Sequence, residues 1–266
     1  MKTDLIAKNW VHLQDLLFRD TWDKDLKRYR SAYVYRGLSD KNYQLVSSLI
    51  RLGGPYDRLE RHLLRNFIKY ARRGSTGESL WNWLVLAQHH GLPTRLIDWT
   101  YSPLVALHFA TANPLKYKDD GVIWCVNYVK ANHFLPQSLL DIILEEGSNV
   151  FTPYMHDKVC NSLSKLSELQ SEPFNIFLEP PSLDERIVNQ HALSSLMSTA
   201  KAHLGVWLQN HLDIYFRIII PAELKWEIRD KLDQSNITER VLFPGLDGLS
   251  LWLKRNYSPK DIPFDI

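Results

Sequence analysis

The stretch from Leu86 to Ala110, LAQHHGLPTRLIDWTYSPLVALHFA, decides how this chain is read. Two apolar helical runs flank His89, His90, Thr94, Arg95, Asp98, Thr100 and Ser102, with Gly91 and Pro93 at the joint. Glycine and proline break helices and set turn geometry, so these polar groups fall on a helix–loop–strand–helix corner. Leu80, Trp83, Leu84 and Ala87 mark the incoming helix and Leu96–Thr100 a short strand. Ser102 and Pro103 then form the cap and first residue of an outgoing helix. A corner this rich in imidazole, guanidinium, carboxylate and hydroxyl groups is where binding and catalytic side chains collect.

Outward from the corner, Ala32–Gly37 (AYVYRG) reads as a strand running into a turn, and Tyr56 to Arg72 as a helix ended by Arg73-Gly-Ser-Thr-Gly77. Alternation from Val122 to Tyr128 predicts a strand, as does the apolar run Ile214–Ile220. Leu5, Leu13, Leu16 and Leu17 predict an amphipathic helix in a helical lead over residues 1–29. Residues 130–181, broken by five prolines, read as an insertion of short helices and loops. Ser182 with Glu185 makes a capping box for a helix carrying Arg186 and Gln190. Leu224, Ile228 and Leu232 predict a further helix, Arg240–Phe243 a last strand, and Leu246, Leu249 and Leu253 a closing helix. Helices and strands intersperse without regular alternation, so the expectation is one α+β domain over 1–266, a mixed or antiparallel sheet with surrounding helices.

Hydrophobic residues make up 45% of the 266, enough for a substantial core. Lys plus Arg number 32 against 30 for Asp plus Glu, so no strong global field draws the chain to nucleic acid or anionic membrane. No run of 18 apolar residues offers a membrane span, and Asp4, Lys8 and Asn9 interrupt the start, so no secretory segment is read. The two cysteines form no disulfide framework or metal-ligand spacing, and a reducing, cytoplasmic location is expected.

Each loaded position has a functional and a structural reading. Arg36 offers a planar fork for phosphate beside Gly37, which lets a ligand approach the backbone, or it is an arginine in a turn. His89 and His90 are adjacent and diverge by about 100° on a helix, so they cannot share a metal, and no metal site is expected. One of them is a candidate acid–base group, the alternative being a cap and a core histidine. Asp98 needs a partner, and Arg95 is the nearest candidate in sequence. Thr100 and Ser102 lie two apart, so in a strand their hydroxyls face one side. Arg186 and Gln190 share a helix face, presenting either a fork and an amide to one ligand or a solvated surface. Glu239 reads as a carboxylate at a strand entry, able to stabilise a developing cation, or as a loop acid paired with a base.

Tyr35-Arg36-Gly37, Ser47-Ser-Leu-Ile-Arg51, Gln88 to Thr100, Ser102 to Ala110, Arg186 with Gln190, and Glu239 to Leu249 together resemble the FRG-domain family over roughly residues 30–255. Tyr35 stands where that family has its name-giving phenylalanine. The order Arg36-Gly37, Thr100-x-Ser102 with its helix, then Glu239 is also similar to ADP-ribosyltransferases. That similarity implies a split sheet and an NAD-consuming enzyme without a metal, of the kind found in bacterial toxins and antiphage effectors. It implies that Arg36 holds the NAD phosphates and that Thr100 or Ser102 meets the nicotinamide ribose. Glu239 would stabilise the oxocarbenium, and His89 or His90 would activate a protein or nucleic-acid acceptor. Gly37, Thr94, Arg95, Asp98, Arg186 and Gln190 complete the expected NAD contacts. Ile237 replaces the acid that arginine-modifying members carry two residues before the glutamate, which argues against arginine as acceptor. Two alternatives stay open: a non-catalytic phosphate-binding module using Arg36, Arg51, Arg72, Arg73 and Arg95, and a hydrolase built on His89 and Asp98.

Overall fold

The computed structural model describes residues 3–71, 79–182 and 184–260. The strands are β1 (Asp4–Ile6), β2 (Trp22–Asp23), β3 (Arg28–Tyr29), β4 (Tyr33–Leu38), β5 (Leu96–Thr100), β6 (Gly121–Asn127), β7 (Asn175–Leu178), β8 (Ala192–Met197) and β9 (Tyr215–Ile220). β2 and β3 pair as a separate ribbon, and the others form one sheet in the order β1-β9-β6-β4-β5-β8-β7. β1 runs parallel to β9, and the remaining neighbours are antiparallel. The chain is therefore α+β with a mixed sheet and surrounding helices.

The register shows where the sheet gives way. β4 pairs with β6 along its whole length, from Tyr33 opposite Asn127 to Leu38 opposite Val122, and β5 pairs with β8 from Leu96 to Thr100. Between β4 and β5 the register holds the single pair Tyr35 and Thr100. The sheet is thus two leaves, β1-β9-β6-β4 and β5-β8-β7, joined at one point and parted beyond it.

The early helices are α1 (Trp10–Leu17), α2 (Ser48–Leu52), α3 (Tyr56–Ala71), α4 (Leu80–His89) and α5 (Pro103–Thr111). α4 stops where Gly91 takes φ +82°, and α5 starts on Ser102, whose Oγ accepts from Val105 N–H. Gly37 is the point where α5 meets β4. A Cβ there would lie 1.8 Å from the Ala106 carbonyl oxygen, so the missing side chain admits a helix as well as opening the strand. β4 also continues through Gly37 to Leu38 instead of turning.

The insertion contributes α6 (Tyr128–Ala131), α7 (Gln137–Glu145), α8 (Pro153–Val159) and α9 (Leu163–Glu168), and ends in β7, an edge strand the sequence reading missed. Its helices pack with α3 and α4 over one side of the second leaf, burying Trp81, Leu84, Leu139, Phe151 and Phe174. α10 (Glu185–Asn189) and α11 (Leu204–Gln209) follow on either side of β8. α12 (Lys225–Gln234), α13 (Glu239–Leu242) and α14 (Leu246–Asn256) close the chain. α1, α5 and α12 cover the first leaf around Leu13, Tyr35, Ile123, Ile218 and Ile228.

Several expectations need correction. The N-terminal lead is not wholly helical, because Leu5 lies in β1 and residues 22–29 hold the ribbon. Arg240–Phe243 is not a strand: Thr238 caps a helical turn, accepting from Val241 N–H, and Pro244 with Gly245 at φ +108° ends it. β8 escaped notice because Ser194 and Ser195 interrupt its apolar run, yet Ser195 is fully buried, its Oγ accepting from Trp99 Nε1–H at 2.9 Å. α10 is capped by Asp184 rather than Ser182. The expected stop at Arg73–Gly77 lies outside the described residues. Among the described residues, no helix is long and apolar enough to cross a membrane.

Two buried charge clusters fasten the elements. Arg95 does not pair with Asp98; it grips Glu60 of α3 through Nε at 2.9 Å and Nη2 at 2.5 Å, and donates Nη1–H to the Ser198 carbonyl at 3.0 Å. Glu239 accepts from Arg229 Nη2 at 3.2 Å and from Arg255 Nε at 2.8 Å and Nη2 at 2.7 Å. Arg255 also holds Asp233, and Arg229 Nη1 donates to His108 Nδ1 at 2.8 Å. Burial alone would raise the Glu239 carboxyl, but the Arg255 and Arg229 guanidiniums outweigh it and hold the pKa at about 2. Burial, with Arg229 adding to it, drives His108 down to about 3. Burial alone drives His156 to about 3, where it lies between the Trp81 and Phe151 rings with centroids 4.6 and 4.7 Å away. Neither ring nitrogen of His156 has a hydrogen-bond partner among the described residues.

Glu239→Gln leaves two buried guanidiniums without their carboxylate and is expected to cost about 3 kcal/mol in urea unfolding at pH 7. Acid lability follows from the histidines. Folded His108 and His156 stay neutral until about pH 3, while the unfolded chain takes protons below its ordinary 6.5. Stability therefore falls as pH drops below 6.5, each imidazole costing roughly 2 kcal/mol at pH 5. Glu239 acts in the same direction at lower pH, since its stabilisation is present above 4.5 and is lost toward 2. His156→Phe is expected to keep the ring stack, leave stability at pH 7 equal or higher, and flatten the slope between pH 7 and 5 by about one proton. An unchanged slope in pH-resolved urea titrations would contradict the assignment.

Candidate functional site

Where the two leaves part, the opened backbone and the side chains around it form a cleft of about 220 Å³. Arg36 enters from β4, Asp98 and Thr100 from β5, Gln88 and His89 from α4, Arg186 from α10 and Gln190 from its C-cap, with Gly37 and Phe109 on the α5 side. The half-buried Arg36 guanidinium donates to the Asp98 carbonyl, a β5 acceptor that the shortened β4 ladder leaves unmet. Burial pushes Arg36 below the ordinary arginine value against the opposing pull of the Asp98 carboxylate. It stays cationic at neutral pH.

A chain of oriented hydrogen bonds sets the Asp98 carboxylate. Leu96 N–H donates to Thr94 Oγ1 at 3.1 Å, and that hydroxyl donates to Gln88 Oε1 at 2.6 Å. Gln88 Nε2 then donates to Asp98 Oδ1 at 3.1 Å and Oδ2 at 3.0 Å. Each group uses the polarity its neighbour demands, which fixes the amide orientation as well as the carboxylate. The loop bent at Gly91 and Pro93 brings helix, turn and strand close enough for the relay to close.

The rim is held from the other side. His89 Nε2 lies 2.6 Å from Asp184 Oδ2, and Asp184 Oδ1 caps α10 by accepting from Ile187 N–H at 3.1 Å. Burial opposes ionisation of Asp184, but the hydrogen bonds from Ile187 N–H and the His89 ring overcome it and lower its pKa. A carboxylate accepts only, so His89 carries its proton on Nε2 and its lone pair on Nδ1. Thr100 Oγ1 donates to the Gln190 carbonyl at 2.7 Å and accepts from Ser102 N–H at 3.0 Å, and Gln190 Nε2 donates to the Leu242 carbonyl at 2.9 Å. Arg186 is exposed, its guanidinium 5.2 Å from the Phe243 ring centroid, and among the described residues it pairs with no carboxylate.

Of the residues singled out from the sequence, Arg36, Gly37, His89, Asp98, Thr100, Arg186 and Gln190 line this cleft. Thr94 stands behind it as the start of the relay, and Ser102 is engaged in capping α5. Arg95 and Glu239 sit in the buried clusters and do not line it. His90 does not line the cleft; its ring lies edge to face with that of His89, centroids 5.2 Å apart, and lines an adjoining groove with His89, Ser48, Gly91 and Leu92. His89 pairs with Asp184 instead of Asp98, so the two residues of the hydrolase reading have other partners. Gln88 and Asp184 were missed. Gln88 carried a weak signal as the polar residue heading the two histidines, and Asp184 one as an acid two residues before Arg186.

Chemically, the site sets two guanidiniums and an imidazole around one oriented carboxylate, the only acidic side chain among the described residues that line the cleft. That arrangement suits an anionic ligand bearing a centre that becomes positive next to the anion. No curated protein and no solved structure matches the chain. The match to a known family is narrower than the resemblance over roughly 30–255, leaving out α10 and the closing helices, but it contains β4, β5, α5 and the whole Gln88–Thr94–Asp98 relay. The model of the FRG domain matches residues 31–119, and the chain carries an FRG domain there.

Proposed function

We propose that the cleft binds NAD and that the protein transfers ADP-ribose from it to an acceptor on a protein or nucleic acid. The observation that carries the reading is the Arg36 guanidinium, held on the Asp98 backbone carbonyl, beside the Gln88-oriented Asp98 carboxylate at the point where β4 and β5 part. The parted sheet accords with the split sheet that the similarity to ADP-ribosyltransferases implies. A cleft of about 220 Å³ suits one end of a dinucleotide. The adjoining groove of about 440 Å³, which shares Gln88, His89, Asp98 and Arg186, gives the remainder a path.

The roles follow from charge. Arg36 and Arg186 hold the diphosphate, Arg186 as a planar fork against Phe243. Cleavage breaks the bond between ribose C1′ and the pyridinium nitrogen, and nicotinamide leaves neutral with the bonding pair. The cation left on the ribose lies against Asp98, which takes the part first assigned to Glu239. Glu239 is ill suited to it, because its two oxygens already accept from Arg229 and Arg255. His89, oriented by Asp184, accepts the acceptor's proton at Nδ1 as the new bond to C1′ forms. Gln88 and Thr94 position the carboxylate.

Incubation with NAD and cell lysate is expected to release nicotinamide and label a macromolecule. Asp98→Asn is expected to lower release about 100-fold while NAD binding and thermal unfolding stay near wild type. Gln88→Leu is expected to lower kcat more than it raises KM, since it frees the carboxylate without removing a phosphate contact. Binding of NAD by calorimetry without any release from wild type would assign the cleft to a phosphate-binding module. Absence of binding would remove the reading.

A further inference from the structure

A second cavity lies between the start of β7, the end of β8 and α11, and the cleft has no part in it. Its volume is about 950 Å³, larger than the cleft and at the upper end of ligand pockets. β8 runs from one site to the other: Ser194 lines the cleft and Met197 lines the cavity, about 10 Å further along the strand.

Its wall is a stack of rings with their polar atoms already committed. His211 sits between Phe134, with ring centroids 4.2 Å apart, and Trp207, 4.3 Å away and tilted by 32°. Trp207 Nε1–H donates to the Pro173 carbonyl at 2.9 Å. His211 Nδ1 lies 2.7 Å from the Trp207 carbonyl, which only accepts, so Nδ1 carries the proton and Nε2 is left as an acceptor. Fixed rings with one remaining acceptor suit a planar heterocycle that stacks and donates an N–H. Around them stand two amides, Asn210 and Gln170, the latter donating Nε2–H to the Glu172 carbonyl at 3.3 Å, and the basic side chains His133, Lys201 and His203, which outnumber the one acid of the lining, Glu172. Planar base, hydrogen-bonding edge and anion together describe a nucleotide.

We propose that this cavity is a binding site for a nucleoside monophosphate unit, either free or at the end of a nucleic-acid strand. It stands independently of NAD turnover in the cleft. Fluorescence or calorimetric titration of the intact chain with AMP, GMP, CMP and UMP tests it, with a single-stranded octanucleotide carrying a 5′ phosphate as the second arm. Val206 is exposed on the cavity wall, so Val206→Trp fills the space without disturbing the core. At least one monophosphate or the octanucleotide is expected to bind, with affinity falling at least tenfold in Val206→Trp and several-fold in His203→Ala at unchanged melting temperature. Binding of the monophosphates identifies the free nucleotide as ligand, and binding of the octanucleotide alone identifies a strand end. Arg36→Ala, which disables the cleft, is expected to leave this binding intact. No binding by any of the five probes, equal binding by wild type and both cavity variants, or loss of binding in Arg36→Ala would each overturn the proposal.

Discussion

One pair of residues governs the geometry of this molecule. Tyr35 opposite Thr100 is where two leaves of sheet meet, and beyond it β4 and β5 separate. A parted sheet exposes backbone groups that must find partners, because an unmet buried carbonyl costs as much as a lost hydrogen bond. Here the Asp98 carbonyl finds the Arg36 guanidinium, so the charge that makes the cleft useful also makes the split tolerable. The joint is reinforced on either side. α5 presses its backbone against Gly37, where a side chain would collide with Ala106, and the Thr100 hydroxyl ties β5 to α10 through the Gln190 carbonyl. Opening the sheet, seating α5 and aligning the cleft are one structural solution.

Sequence spacing revealed this region because its signals are local. Gly91, Pro93 and the Ser102-Pro103 start are short-range punctuation, and they placed α4, β5 and α5 close to their observed bounds. Partners distant along the chain left no such trace. Arg95 lies three residues from Asp98 but bonds Glu60, because β5 turns its guanidinium into the layer beneath α3 while Asp98 faces the cleft. His89 finds Asp184, and Glu239 finds Arg229 and Arg255, through packing that no local period encodes. β8 and α13 failed for a related reason. A pair of buried serines hides an apolar strand, and a single helical turn after Thr238 imitates one.

The candidate residues divide by what surrounds them. Arg36, Asp98, Thr100, His89, Arg186 and Gln190 were legible as chemistry and do converge on one cleft. Arg95 and Glu239 carry equally suggestive groups and are engaged in holding layers together. Residue type alone does not separate these sets. A charged side chain serves ligands when its partners leave a face toward solvent, and serves the fold when every lone pair is taken inside.

That distinction decides which carboxylate can answer a developing cation. Three hydrogen bonds from two guanidiniums and a pKa near 2 show how fully the field of Glu239 is already neutralised. A cation formed nearby would meet the guanidiniums as well as the carboxylate, and their repulsion offsets the attraction. Asp98 receives its hydrogen bonds from one neutral amide, which orients its oxygens; Arg36 bonds the backbone carbonyl instead, and among the described residues no guanidinium hydrogen-bonds the carboxylate itself. Preorganised, uncancelled charge is what lowers a barrier when charge appears in the transition state. The Thr94–Gln88–Asp98 relay supplies the orientation without the cancellation. For that reason the amide between the two, and not another arginine, is the residue the site requires.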